Sequence, residues 1–102
     1  PYHGGRAMKF DAVTINVGTA GTRVQVSNTT QKVRYIKFSA KTGNSGLTYV
    51  GISDVAAANG YELSANDSLE MDYRPGSEVL NVFYVDAATN NDKVDVAMIL
   101  DG

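Results

Sequence analysis

The acidic pair Glu70 and Asp72 is the arrangement in this 102-residue chain that comes nearest to a catalytic constellation. On a strand, residues two apart share a face and stand about 7 Å from one another. That falls within the roughly 5–10 Å over which paired carboxyls cleave glycosidic bonds. Such chemistry needs one carboxyl kept protonated by an apolar environment. Leu69, Met71 and Tyr73 alternate with Ser68, Glu70 and Asp72, so the apolar side chains take the dry face and both acids the wet one. The pair is therefore expected to be a solvated strand face.

Other reactive residues are scarce. His3 is the single histidine, and it sits in a glycine-containing start where nothing fixes a general base. There is no cysteine, so neither a disulfide framework nor a thiolate metal site is available. Gly18-Thr19-Ala20-Gly21 matches no phosphate-binding loop and reads as a turn. Asp86, Asn90, Asn91, Asp92 and Asp95 gather hard oxygens around one loop, but their spacing does not fit an EF-hand, and turns favour these residues for backbone reasons. Lys32, Arg34, Lys37 and Lys41 interleave with Tyr35 and Phe38, as a stacking platform for single-stranded nucleic acid would. A pI near 5.1 opposes a polyanion. The sequence thus leads us to expect no catalytic residue, no cofactor, no metal and no nucleic-acid partner.

The elements that would carry these residues alternate with period two. Val13, Ile15 and Val17 oppose Thr14 and Asn16; Val24 and Val26 alternate with Arg23, Gln25 and Ser27; Val94, Val96, Met98 and Leu100 alternate with Lys93, Asp95 and Ala97. One wet face per strand is the mark of an antiparallel sheet. In 32–40 the apolar side switches partway, which predicts a bulge near Tyr35 and Ile36. Turn-forming clusters separate the runs, among them Gly43–Gly46, Asn59-Gly60, Pro75-Gly76 and Thr89–Asp92, with Asn59-Gly60 suited to a tight hairpin turn. Seven or eight strands spaced in this way predict an all-β antiparallel sandwich, jelly-roll-like, with an immunoglobulin-like sandwich as the alternative. Residues 1–9 lack alternation and read as a flexible N-terminal arm ahead of a single domain spanning 10–102.

Two segments are apolar on both faces. Leu47 and Tyr49 oppose Val50 and Ile52, while Val79, Phe83 and Val85 oppose Leu80, Val82 and Tyr84. A sandwich buries one face of each strand, so the second must be covered by a loop, by the arm or by another molecule. Charge is also unevenly placed. Residues 1–53 hold seven cations and the single acid Asp11, whereas 54–102 hold Arg74 and Lys93 against ten carboxylates. Either strands of the two halves pair and their charges meet across a sheet, or the surface is bipolar and steers association. The start has no secretory apolar core and no apolar run is long enough to span a bilayer, so a chain made in the cytoplasm, with no membrane partner, is expected.

The run GNSGLTYVGISDV (Gly43–Val55), then NGYEL (Asn59–Leu63), DSLEMDY (Asp67–Tyr73), FYVD (Phe83–Asp86) and NNDKVDV (Asn91–Val96), resembles small virion structural proteins of tailed bacteriophages. The chain departs from that pattern at Ala65-Asn66-Asp67 and at Asn90-Asn91, where glycines often stand. The resemblance implies a capsid decoration, or cement, protein on the capsid exterior, with the major capsid protein as partner and self-association as a homotrimer. Tail, head-fibre or host glycan-binding modules are the alternative. On this reading the arm residues Tyr2, His3, Arg6 and Lys9 would contact the capsid, and Leu47, Tyr49, Leu80, Val82 and Tyr84 would form the subunit interface. The protein is expected to act through its surfaces and not as an enzyme.

Overall fold

The computed structural model describes residues 8–74 and 78–101. Among the described residues eight strands form: β1 (Met8–Val17), β2 (Val24–Gln25), β3 (Val33–Ala40), β4 (Thr48–Gly51), β5 (Tyr61–Leu63), β6 (Ser68–Asp72), β7 (Tyr84–Ala87) and β8 (Asp92–Asp101). They pair, entirely antiparallel, into two four-stranded sheets ordered β1-β8-β3-β6 and β2-β7-β4-β5. This order, in which the chain crosses between sheets so that first and last strands become neighbours, is that of a jelly roll. The immunoglobulin-like alternative does not match it.

Alternation does the folding work. Ile15 and Val17 from β1, Ile36 and Phe38 from β3, Val50 from β4, Val85 from β7 and Val94, Val96, Met98 and Leu100 from β8 fill the space between the sheets. Phe83 stacks at its centre, with ring centroids 5.7 Å from Phe38 and 6.2 Å from Tyr73, both tilted as aromatic quadrupoles prefer. The register of β3 against β8 shifts between Val33 and Tyr35. The extra residue, Arg34, lies one position ahead of the expected bulge and brings Val33 to the same buried side as Ile36, Phe38 and Ala40.

Three local expectations are corrected. Met8 and Lys9, read as arm, belong to β1, where they face Asp101 and Leu100 of β8. Residues 79–83 are not a strand: Leu80–Val82 form a 3-10 turn whose Leu80 drops into the core. A helical turn rotates its side chains around an axis, which resolves the two-faced pattern without a second buried sheet face. Asn59-Gly60 is no hairpin turn with left-handed residues; the tight turn is Ala56–Asn59, closed by reciprocal backbone bonds of 3.1 and 2.9 Å. Among the described residues, positive φ falls on Gly21, Asn66 and Asn91.

Candidate functional surface

Of the five side chains that resembled a cation site, Asp86, Asn90 and Asp92 hold loops by accepting backbone N–H groups. Asp92 is buried and accepts the backbone N–H groups of Ser45 and Gly46, each at 2.9 Å. Asn44 secures the same junction, donating to the Lys93 carbonyl and accepting its N–H. Asp86, also buried, accepts from the Gly21 and Ala87 N–H groups, and Asn90 accepts from Ala20. Among the described residues no three His, Cys, Asp or Glu side chains converge on a common point. Nor is any helix among them long and apolar enough to cross a membrane.

Glu70 and Asp72 are exposed on the outer face of the first sheet. Lys37 stands opposite Glu70 in the register and approaches it to 3.6 Å. The same face carries Arg34 with Asp101 at 3.2 Å and Lys41 with Asp95 at 3.1 Å. In every one of these pairs a cation from the first half of the chain meets a carboxylate from the second. Strand interleaving therefore consumes much of the charge asymmetry, and with it the cluster that resembled a nucleic-acid platform. Two titrations reflect this surface. At Asp95 partial desolvation pushes the carboxyl up, but the Thr14 hydroxyl, donating at 2.6 Å, and the Lys41 ammonium prevail and hold it below its ordinary value. Desolvation, then Glu70 and Asp72, raise the Tyr35 phenol.

The residues expected at a subunit interface are divided by the fold. Tyr49 and Leu80 are buried within the chain, at 5% and 3% exposure. Tyr49 points outward from β4, yet the loop 52–60 folds back over it: a Cβ on Gly60 would stand 3.2 Å from the Tyr49 Cβ and 2.7 Å from Val55. Val55, fully buried, fills the space above Gly51. Leu47, Val82 and Tyr84 are half-buried, and Val82 and Tyr84 border one shallow hollow with Ile52 and Glu78. A second, apolar hollow of about 270 Å³ opens between the sheets, where Tyr61 and Ile52 stand over Leu69, Met71, Tyr73 and Phe83. Burial, then Glu78, raises the Tyr73 phenol there. Of the expected arm contacts, Tyr2, His3 and Arg6 lie outside the described residues, and Lys9 is exposed on β1.

The most open apolar feature was not expected. β1 is ten residues long and lies at a sheet edge, with Phe10 70%, Met8 53% and Val13 38% exposed. Phe10 sits on the outer face, beginning a row that runs through Ile99 and Tyr35 to Asp72 across all four strands. The signal was present in the sequence: Phe10 falls on the polar side of a strand whose dry side is already supplied by Val13, Ile15 and Val17.

No protein-family model matches this chain, and no curated protein matches it in sequence. A solved structure does match in fold: a protein of Bacillus endospore appendages, described as a novel family of disulfide-linked pili, at a TM-score of 0.57 and 13% identity. The match covers 99% of this chain and 94% of that one. At that identity the likeness shows a shared all-β fold alone.

Proposed function

We propose that this chain is a structural subunit of a multi-copy protein assembly, acting through its edge strand β1 and not as an enzyme. The observation that supports this reading is the 70% exposure of Phe10 on a ten-residue edge strand flanked by Met8 and Val13. Long apolar edges are templates for another chain, and monomeric sandwiches ordinarily shorten or charge them. Both members of the candidate catalytic pair are solvated and Glu70 is paired with Lys37, which leaves no desolvated acid of the kind hydrolysis requires.

Within that class we propose capsid decoration on a phage virion, on the strength of the sequence resemblance between Gly43 and Val96. A homotrimer bound to the major capsid protein is the form it implies. The second reading, a subunit of a surface appendage, is favoured by the fold likeness to the endospore pilus protein. Disulfide linkage, named for that protein, is not open to these 102 residues, which contain no cysteine.

Immunogold labelling with antibody against the purified chain, on virions and surface fibres of cells carrying its gene, tests both. Label confined to virion heads supports decoration, label along filaments supports an appendage, and label on neither sinks the assembly reading. Light scattering over protein concentration adds the geometry: closed oligomers plateau in mass, whereas filaments grow without limit.

A further inference from the structure

We propose that β1 pairs with β1 of a second copy, antiparallel about a two-fold axis at Phe10, so that two four-stranded sheets join into one of eight strands. The inference rests on the reading of β1 as a contact strand and specifies its occupant and register.

The direction of the free backbone groups comes first. The Ala40 N–H donates to Asp67 and the Ala40 carbonyl accepts from Asn66, both on the β6 side. Alternate residues of a strand point their backbone groups to opposite sides. Lys37 and Ser39 therefore bond to β8 through Ala97 and Asp95, which leaves Val96 and Met98 to bond Val13 and Asp11 of β1. Met8, Phe10, Ala12 and Thr14 then direct their N–H and carbonyl groups away from the sheet. The Ala12 N–H agrees, since it donates to its neighbour's carboxylate, Asp11 Oδ1, at 2.9 Å.

Charge then selects the register. A two-fold axis at Lys9 would set lysine against lysine, and one at Asp11 aspartate against aspartate. Axes further along face Asp11 or Lys9 with Val13, Ile15 or Val17. Centred on Phe10, each Lys9 opposes the partner copy's Asp11, and the pair occurs twice by symmetry. Phe10 meets its own copy, and Met8 faces Ala12, so three hydrogen-bonded pairs supply roughly six backbone bonds once the Ala12 N–H exchanges the Asp11 carboxylate for the facing Met8 carbonyl. Among the described residues neither Lys9 nor Asp11 forms an ion pair within the chain. Neighbouring Ile99 extends the apolar contact around the two phenylalanines. A two-fold contact of this kind closes at a dimer, which makes it an alternative to the trimer that the phage resemblance implies.

The test is the solution mass of the full chain across concentration, for the parent and four variants whose folding is checked by circular dichroism. The parent is expected to reach twice the monomer mass. Lys9→Asp and Asp11→Lys each set like charges together twice and should weaken the dimer at least about tenfold. The double exchange Lys9→Asp with Asp11→Lys restores opposite charges and should recover it. Phe10→Cys, the only cysteine in the chain, should oxidise to a covalent dimer, since directly opposed residues fall within disulfide reach. Single reversals without effect, a folded double exchange that stays monomeric, or Phe10→Cys that does not cross-link would each overturn the pairing. A stable trimer or filament indifferent to these variants overturns it while leaving the assembly reading intact; a monomer at every concentration, without particle labelling, overturns both.

Discussion

The outer faces of β4 and β1 present the same problem, an apolar side chain on the wrong side of a two-layer sandwich, and the chain treats them oppositely. Tyr49 projects outward from β4 and is sealed to 5% exposure by its own loop, with Val55 and Gly60 as the cover. Phe10 projects outward from β1 and is left 70% exposed. Covering a residue internally turns it into core, whose loss is felt as stability; leaving it open makes its contribution conditional on a partner. The difference lies in the surroundings of each strand. β4 leads into a nine-residue connection that can fold back, whereas β1 stands at the free edge of its sheet.

The largest expected effect separates the two faces directly. Tyr49→Ala removes a buried ring and should lower unfolding free energy by about 3–5 kcal/mol, as large-to-small core changes do. Phe10→Ala, measured in urea at concentrations too dilute for association, should stay within about 0.5 kcal/mol. Equal losses would mean that Phe10 is structural in the single chain, and the contrast between the faces would collapse. Next in size is Asp92→Ala. It strips the acceptor from the Ser45 and Gly46 N–H groups at a buried site, an expected loss of about 2–3 kcal/mol, because hydrogen bonds to a charged group are the stronger kind.

A glycine comparison sharpens the same point. Gly60→Ala drives a methyl into Val55 and Tyr49 and should cost about 1–3 kcal/mol by overpacking. Gly43→Ala meets nothing within 4 Å and should be neutral within about 0.5 kcal/mol. Urea midpoints of the two variants decide whether the loop over β4 is a packed lid or a loose one.

How far the sequence disclosed these regions depends on the range of the forces involved. Period-two alternation is local, so the strands of the first sheet, the wet placement of Glu70 and Asp72 and the existence of a bulge in β3 were all legible. Pairing between distant strands is not local. Nothing in the residues alone said that Lys37 would lie beside Glu70 or Arg34 beside Asp101, although the separation of charge between the two halves allowed it. Two-faced apolar runs misled for a related reason. At Leu80 the backbone leaves the extended state, and at Tyr49 the loop that follows β4 supplies the cover, so these two side chains are spent within the chain. The open apolar residue was instead a single phenylalanine placed against its strand's alternation, too short a signal to stand out from composition.

The smallest effect concerns how firmly the open face is held. Thr14 of β1 donates to Asp95 of β8, and this contact, with Lys41, holds the Asp95 carboxyl below its ordinary value of 3.8 despite the desolvation that pushes it upward. A carboxyl depressed in the folded state contributes stability above its unfolded value, and that contribution fades as pH falls through 3.8 toward the lower folded value. The site is nearly half exposed, so solvent screening limits the contribution to below about 1 kcal/mol. Thr14→Val removes the donor and should move the Asp95 titration, followed by carboxyl-carbon NMR, back toward 3.8. The stability difference between Thr14→Val and the parent should then be larger at about pH 6 than at about pH 2.5, because once Asp95 is protonated the parent has no charged acceptor to favour. A difference that stays constant across that range would mean that Thr14 acts by packing alone. β1 would then be tied to β8 by its backbone ladder without help from the charged surface, and the open edge would owe its shape to the sheet and nothing else.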